Sequence, residues 1–277
     1  MKLLSPAKIN LYLKILSKRK DGYHHIETLM TRISLHDTLE ISLTESGINF
    51  SSTSSELPKD QQNMACKAAA LFLKDTQSNK GVRIHLTKRI PVAAGLGGGS
   101  SNAASVLVGL NKLLRCGLTD CELMEKGSKL GADVPFFIFK RPAIARGIGD
   151  ELEEFHGLPR LWFVLVHPQF QVSTRWVYNN LKLKLTRDKN NSISHMYTSS
   201  SDIAGLLVND LETVTITRYP IIKEIKGILR LKGAEGTLMS GSGPAVFGFF
   251  FEKDKASRVY EELKSQKKWD VFLAHSL

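Results

Sequence analysis

Residues 91–101 read Pro91-Val92-Ala93-Ala94-Gly95-Leu96-Gly97-Gly98-Gly99-Ser100-Ser101. Before this stretch, residues 82–90 place apolar side chains at mostly alternate positions, which predicts a half-buried strand. After it, the apolar residues of 103–114 recur at helical spacing, which predicts an amphipathic helix. A glycine-dense loop therefore joins a strand to a helix, and Ser100 or Ser101 is expected to cap that helix.

This arrangement is typical of a phosphate-binding site. A helix N-terminus offers unpaired N–H groups and about half a positive charge, and glycines let a polyphosphate approach them closely. The loop differs from the two best-known designs. No lysine follows a terminal glycine as in a P-loop, and Ser100 stands where GxGxxG has its last glycine. The alternative interpretation is a glycine-rich turn without a ligand.

The composition predicts a soluble globular protein. With 277 residues, 42% hydrophobic and 23% charged, the chain suits one large or two modest domains. Its net charge of +11 suits nucleic acid, a membrane surface or a highly anionic small substrate. Three cysteines without a CxxC pair argue against a disulfide framework. Because no membrane-spanning run or signal peptide is visible, we expect a cytoplasmic location.

Strand and helix patterns continue along the first half of the chain. Residues 9–15 alternate and predict a strand with one apolar face and one polar face that carries Lys8 and Asn10. Further elements are predicted as strands at 26–35 and 39–43, a loop at 51–60, a helix at 63–73, a helix that begins with a capping box at 119–122 and ends near Leu130 with Gly131 as its cap, and strands at 136–139 and 143–148.

The second half begins with a change of composition near residues 157–159. Its pattern predicts an antiparallel sheet backed by helices, an α+β arrangement. The elements are a strand at 161–166, a mobile loop at Lys184–Ser201, helices near 203–208 and 221–229, a hairpin over 236–251, a helix at 255–265 and a strand at 271–274.

Three segments stand out in order: Ser5-Pro6-Ala7-Lys8-Ile9-Asn10, the 91–101 loop and Met239-Ser240-Gly241-Ser242-Gly243-Pro244. Together they resemble the three motifs of the GHMP kinase superfamily, from about Leu3 to about Phe247. The resemblance implies an α+β, two-domain fold. Residues 1–158 would form the N-terminal, ribosomal-S5-domain-2-like ATP-binding domain, and residues 159–277 the C-terminal ferredoxin-like domain.

Finer motifs resemble one branch of that superfamily. They are Pro6–Leu11, Asp21-Gly22-Tyr23-His24, Gly131-Ala132-Asp133-Val134-Pro135 and His167-Pro168. Members of that branch phosphorylate the 2-hydroxyl of 4-diphosphocytidyl-2-C-methyl-D-erythritol in the non-mevalonate route to isoprenoids. The resemblance therefore implies an ATP-dependent alcohol kinase.

Phosphoryl transfer needs a proton acceptor and positive charge near the reacting hydroxyl. We expect Asp133 to act as the base. Lys8 would keep Asp133 ionised and polarise the hydroxyl, since a neighbouring cation favours the charged form of a carboxylate. Taken alone, Asp133 also fits a helix-terminal surface carboxylate, and Lys8 a solvated strand lysine.

The cytidine end of the substrate should need an aromatic platform. By resemblance, Tyr23 would stack on cytosine, His24 would bond its edge and Asn10 would touch the substrate near Lys8. Tyr178 is the candidate for the opposite face of the base, with core packing as its alternative.

At the nucleotide end, the backbone of Gly95–Gly99 with Ser100 and Ser101 would hold the phosphates of ATP. Asn63 and Met64 align with an adenine-pocket position, Lys88 with a position beside it, and Ser240–Gly243 would lie behind the loop. Mg²⁺ is expected because ATP chemistry uses it, although no residue cluster identifies its ligands.

Three rival functions remain. One is a GHMP kinase for another small alcohol, such as homoserine or mevalonate, whose substrates carry no base to stack on Tyr23. A basic nucleic-acid-binding protein would bind with steep salt dependence. A catalytically dead sensor would have no use for Lys8 and Asp133. Our prediction is a small-molecule kinase, a monomer or weak homodimer, without nucleic-acid or membrane partners.

Overall fold

The computed structural model describes residues 1–58, 62–181, 193 and 203–277. These residues form two compact units. The first comprises Met1–Ala7, His36–Val92 and Gly97–Lys140, and the second comprises Lys8–Leu35, Ala93–Leu96 and Arg141–Leu277. The domain boundary at 158/159 stays a prediction. The predicted loop at Lys184–Ser201 lies outside the described residues except for Ile193.

Within its described residues, the first unit combines four strand segments, among them the start of β1, with four helices. Strand β4 (Gly81–Thr87) pairs antiparallel with the second part of β2 (His24–Thr44) and parallel with β3 (Ile48–Ser52). The helices are α1 (Met64–Asp75), α2 (Gly98–Leu113), α3 (Asp120–Ser128) and α4 (Val134–Phe139). Helix α2 packs against α1 and α4. The predicted strand, glycine loop and helix around residues 91–101 are all present.

Four predictions for this part of the chain are wrong. The strands predicted at 26–35 and 39–43 are one continuous strand, β2, and β3 occupies part of the predicted loop. Residues 136–139 belong to α4 rather than to a strand. Helix α3 ends at Ser128 and is capped by Lys129, so Gly131 is not its cap.

The second unit contains most of β1 (Lys2–Lys18) and the first part of β2. Here β2 pairs with β5 (Ala143–Arg146), which pairs with β6 (Glu151–Glu154), and β1 pairs with β8 (Val208–Asn209). Every residue of β1 from Ala7 to Leu13 is buried, so both of its faces are covered. The polar face that carries Lys8 and Asn10 is therefore an interior one.

A four-stranded antiparallel sheet completes the second unit. Its strands are β7 (Trp162–His167), β9 (Gly236–Met239), β10 (Val246–Phe250) and β11 (Asp270–His275), in the order β11-β7-β10-β9. This is the order of a ferredoxin-like fold, as predicted. Two helices pack on this sheet, α8 (Ile221–Leu231) and α9 (Lys253–Ser265). Three shorter helices come before them in the chain: α5 (Thr174–Asn180), α6 (Ile203–Leu206) and α7 (Glu212–Arg218).

The covering helices explain the stability of that sheet. Helix α8 buries Ile222, Ile225 and Leu229, which share one stripe because they are three and four residues apart. Each such side chain contributes roughly 1.5–3 kcal/mol when fully buried. Within the part of the chain that the structure describes, no helix has the length and hydropathy that crossing a membrane would require.

Candidate active site

The tip of the glycine loop, residues 93–96, is fixed by the other two motifs. Gly95 has φ +77°, and a Cβ there would lie 2.0 Å from the carbonyl oxygen of Ser240. The Ser240 hydroxyl donates to the carbonyl of Gly95 at 3.0 Å, and the backbone N–H of Lys8 donates to the carbonyl of Leu96 at 3.0 Å. Only glycine fits at position 95, and the three sequence motifs meet there.

The turn after β9 follows the same close packing. A Cβ on Gly241 would lie 3.1 Å from the carbonyl oxygen of Gly95 and 3.5 Å from Oδ1 of Asn10. The side-chain amide of Asn209 donates to the carbonyls of Met239 and Gly241, each at 2.8 Å. Residues 240–243 thus form a tight turn, and that turn packs against the loop at Gly95.

The N-terminus of α2 is made by backbone alone. Gly97, with φ +69°, is the N-cap and has no side chain to bond the helix, so the expected cap at Ser100 or Ser101 is wrong. The N–H of Ser101 is the first to join the helical ladder, at 2.9 Å from the carbonyl of Gly97. The N–H groups of residues 98–100 therefore lie outside that ladder and point out of the N-terminal end of the helix. The Ser101 hydroxyl is buried without a hydrogen-bond partner in the described part of the chain.

Met64, which is predicted at the adenine pocket, lies near this helix end. A Cβ on Gly99 would lie 3.5 Å from its Cγ, and one on Gly131 would lie 3.8 Å from its Cε and 4.0 Å from the Ser100 hydroxyl. Asn63 is the N-cap of α1, accepts from Ala65 at 2.9 Å and is buried.

Lys88 also makes contacts within the protein. Its buried ammonium lies 3.0 Å from Oδ2 of Asp37 and bonds the carbonyl of Ile90. Burial lowers the pKa of Lys88, although the charge of Asp37 opposes that effect. Asn63 and Lys88 thus both stabilise the protein itself through these contacts. Their roles at the nucleotide stay predictions.

Lys8 is 5% exposed, which excludes a solvated strand lysine. Its ammonium donates to Oδ1 of Asn10 at 2.7 Å, and the amide of Asn10 donates to the Thr28 hydroxyl at 2.8 Å. Thr28 in turn donates to the carbonyl of Tyr12 at 2.6 Å. This chain of bonds fixes the positions of both predicted residues, Lys8 and Asn10.

Asp133 lies where α4 begins, not at the end of α3. It is half-buried, has helical dihedral angles and makes no side-chain capping bond to α4. It is part of a turn in which the N–H of Val134 donates to the carbonyl of Gly131 at 3.0 Å. A carboxylate is favoured at this position by the positive end of a helix dipole.

The predicted cytidine residues follow a sharp turn after β1. Gly22 has φ +89°, and Oδ1 of Asp21 accepts the N–H of Tyr23 at 3.1 Å. Tyr23 is 61% exposed, whereas His24 is buried and its ring centroid lies 5.1 Å from that of Tyr178. Tyr178 also packs on the core, as its alternative interpretation expects, and its role at the cytosine face stays a prediction. Burial, assisted by the charge of Lys18, lowers the pKa of His24.

Comparison with known proteins places this arrangement in a family. Residues 63–141 match the GHMP kinases N terminal domain, and residues 194–268 match the GHMP kinases C terminal domain. The 4-diphosphocytidyl-2-C-methyl-D-erythritol kinase of Syntrophotalea carbinolica is 50% identical over 97% of this chain and 96% of its own. The chain belongs to the 4-diphosphocytidyl-2-C-methyl-D-erythritol kinase family. The relative named as this kinase in Syntrophus aciditrophicus is 47% identical over 100% of this chain and 99% of its own.

Solved structures agree with membership of this kinase family. A crystal structure of 4-(cytidine 5'-diphospho)-2C-methyl-D-erythritol kinase covers 100% of this chain and 99% of its own, with 36% identity and a TM-score of 0.85. A homoserine kinase from Cytophaga hutchinsonii has a TM-score of 0.75 over 100% of this chain and 94% of its own. Its identity of 19% shows a shared fold alone.

In this member of the kinase family, sequence reasoning missed Thr28, Asn209 and Asp37. For Asp37 a signal was present, because it falls at an alternate position of β2 between Leu35 and Leu39, both buried. A carboxylate on the apolar side of a strand requires partners. Thr28 and Asn209 carry no comparable signal in the sequence.

Proposed function

We propose that the chain transfers the γ-phosphoryl group of ATP to the 2-hydroxyl of 4-diphosphocytidyl-2-C-methyl-D-erythritol. The observation that carries this proposal is the meeting of three motifs at Gly95, where the loop tip, the strand of Lys8 and the turn of Ser240 are bonded together. The full-length relatives named as this kinase support the same substrate.

The phosphates of ATP are proposed to bind the N-terminus of α2. The glycines leave the N–H groups of residues 98–100 accessible, and the helix dipole favours an anion there. Mg²⁺ is proposed to enter with ATP, where it would neutralise phosphate charge. The side-chain oxygens that the loop could offer to Mg²⁺ are the hydroxyls of Ser100 and Ser101. Among residues 1–58, 62–181, 193 and 203–277, no three His, Cys, Asp or Glu side chains cluster as metal ligands.

Asp133 is the proposed base that accepts the proton of the 2-hydroxyl. It is half-buried at the N-cap of α4, where the positive end of the helix dipole favours an anion. Lys8 is proposed to stabilise the negative charge that develops on the reacting oxygens. A buried ammonium suits this role, because electrostatic stabilisation is stronger where water is excluded.

Tyr23 is proposed to stack on cytosine and His24 to bond its edge, with Tyr178 beside His24. The exposed ring of Tyr23 supports this role, because a stacking platform must be open to its ligand. The net charge of +11 favours two polyanionic substrates. A cytoplasmic location and a monomer or weak homodimer remain predictions.

The proposal is tested by a substrate panel. Purified protein is incubated with Mg²⁺, labelled ATP and, in separate reactions, the diphosphocytidyl substrate, methylerythritol phosphate without the cytidyl group, mevalonate and homoserine. We expect transfer to the diphosphocytidyl substrate alone. Transfer to mevalonate or homoserine instead would contradict the proposed substrate. ATP binding without transfer to any alcohol would contradict the proposed kinase activity.

A further inference from the structure

Asp37 is a fully buried carboxylate at 0% exposure, and the proposed chemistry does not use it. It lies on β2 with its side chain on the same face as the buried Leu35 and Leu39. Charge in an apolar interior is costly unless it is paired and hydrogen-bonded. Its partners therefore indicate what the carboxylate is for.

These partners come from both ends of the glycine loop. Before the loop, Oδ1 of Asp37 accepts the backbone N–H of Arg89 at 2.7 Å and that of Ile90 at 2.8 Å. After the loop, Oδ2 accepts the side-chain amide of Asn102, in the first turns of α2, at 3.1 Å. One carboxylate thus links residues 89–90 to residue 102, and the loop lies between them.

Lys88 completes the group and connects it to the helix start. Its ammonium lies 3.0 Å from Oδ2 of Asp37, and a Cβ on Gly98 would lie 3.3 Å from that same ammonium. Gly98 is the first residue of α2. The ion pair between Lys88 and Asp37 therefore lies directly beneath the turn whose N–H groups are proposed to bind phosphate.

We propose that Asp37 is a positioning residue for ATP: it fixes the two ends of the glycine loop at a constant separation. The N–H groups at the start of α2 are then arranged for the triphosphate before it binds, and a preorganised site binds more tightly because less ordering occurs on binding. This inference rests on the proposed binding of ATP phosphates by the loop.

The test compares Asp37→Asn with Asp75→Asn. Asp75 forms a partly exposed ion pair with Lys126 at 2.7 Å on another surface of the same unit, so its variant loses the same charge away from the loop. Hydrogen bonds to a charged group are strong enough that Asp37→Asn should raise the KM for ATP and the Kd of a nonhydrolysable ATP analogue about tenfold or more. The KM for the alcohol substrate should change less than about twofold, and Asp75→Asn should leave all three constants unchanged.

A merely structural role predicts a different result. Partial unfolding lowers the active fraction, hence the apparent kcat, and leaves the KM for ATP unchanged. That outcome in Asp37→Asn, with wild-type protein active, would overturn the positioning role. Wild-type protein that neither binds nor uses ATP would overturn the proposed function instead.

A second variant decides the matter if Asp37→Asn does not fold. Asn102→Ala removes one donor to Asp37 and sacrifices no other bond, because Oδ1 of Asn102 has no hydrogen-bond partner within the described residues. We expect its KM for ATP to rise about threefold to tenfold, in line with a single hydrogen bond to a charged group. An unchanged KM for ATP in folded Asn102→Ala would overturn the proposal.

Discussion

Lys8 and Tyr23 lie fifteen residues apart in the chain but in opposite surroundings. Lys8 is 5% exposed, and the bonded series of Asn10 and Thr28 fixes its ammonium. Tyr23 is 61% exposed and is oriented through its backbone, which bonds Asp21 and Arg19. The first region holds a charge in place inside the protein, and the second presents a ring to solvent.

The difference separates two tasks of the proposed kinase. A buried, prearranged charge stabilises a transition state strongly because neither water nor side-chain motion weakens it. An exposed ring gains its contact only when a base covers it, so it contributes to binding more than to rate. Substitutions in the first region should therefore change kcat, and those in the second the KM for the alcohol substrate.

The largest effect is expected at Asp133, which the proposal assigns to the chemical task. Asp133→Asn keeps the shape of the side chain but removes the proton acceptor, and kcat should fall about 10²–10⁴-fold. The Kd of ATP should be unchanged. The measurement is single-turnover transfer together with calorimetric ATP titration. A folded variant with wild-type kcat would remove Asp133 from the chemistry.

Lys8→Met tests the buried side of the comparison directly. Methionine fills similar space without the charge, so kcat should fall about 10²–10³-fold, the effect of losing one stabilising donor. Steady-state kinetics with both substrates varied provides the measurement, and Lys14→Met on the same strand is the control because Lys14 is not buried. If Lys8→Met mainly raised the KM for the alcohol, the division of tasks would be wrong.

Tyr23→Ala tests the exposed side. Loss of one stacked base costs roughly 1–3 kcal/mol, so the KM for the diphosphocytidyl substrate should rise roughly 5–150-fold. The kcat should stay within about threefold. Tyr23→Phe retains the ring and serves as the matched control, with a KM close to that of the wild type. Equal losses of kcat in both variants would contradict a stacking role.

The smallest effect concerns pH and His24. Because burial lowers the pKa of His24, its imidazole is neutral at pH 7 and gains a proton only below its ordinary value of about 6.5. The KM for the substrate should therefore stay level from pH 8 to about 6.5 and rise a few-fold at lower pH as the imidazole becomes charged. In His24→Gln, the KM for the substrate should stay level below pH 6.5 as well, because glutamine does not titrate. A rise in the wild type that begins near pH 7.5 would contradict this assignment.

Sequence patterns predicted the strand, loop and helix at residues 82–114 because periodicity and glycine content agree there. They failed at the N-cap of α2, which is Gly97 with a positive φ rather than the expected serine. They failed at α4 because an apolar run of six residues, buried on almost all sides, lacks the periodicity that separates helix from strand.

The candidate site, like the fold, could be predicted from the sequence only in part. Residues within motifs, such as Lys8 and Asp133, were identified by resemblance, but their surroundings were not. The bonds from Asp37 to residues 88–102 span more than fifty positions in the chain, and no local pattern encodes such a pairing. Its position among buried residues of β2 was the available clue.

Contact between Gly95 and Ser240 has a consequence for synthesis of the chain. These residues are 145 positions apart, and the tip of the loop is held by the turn between β9 and β10 as well as by β1. A ribosome adds residues in order and N-terminal segments fold first. The nascent chain therefore cannot complete the tip of the loop until the turn after β9 has been made, near the end of synthesis.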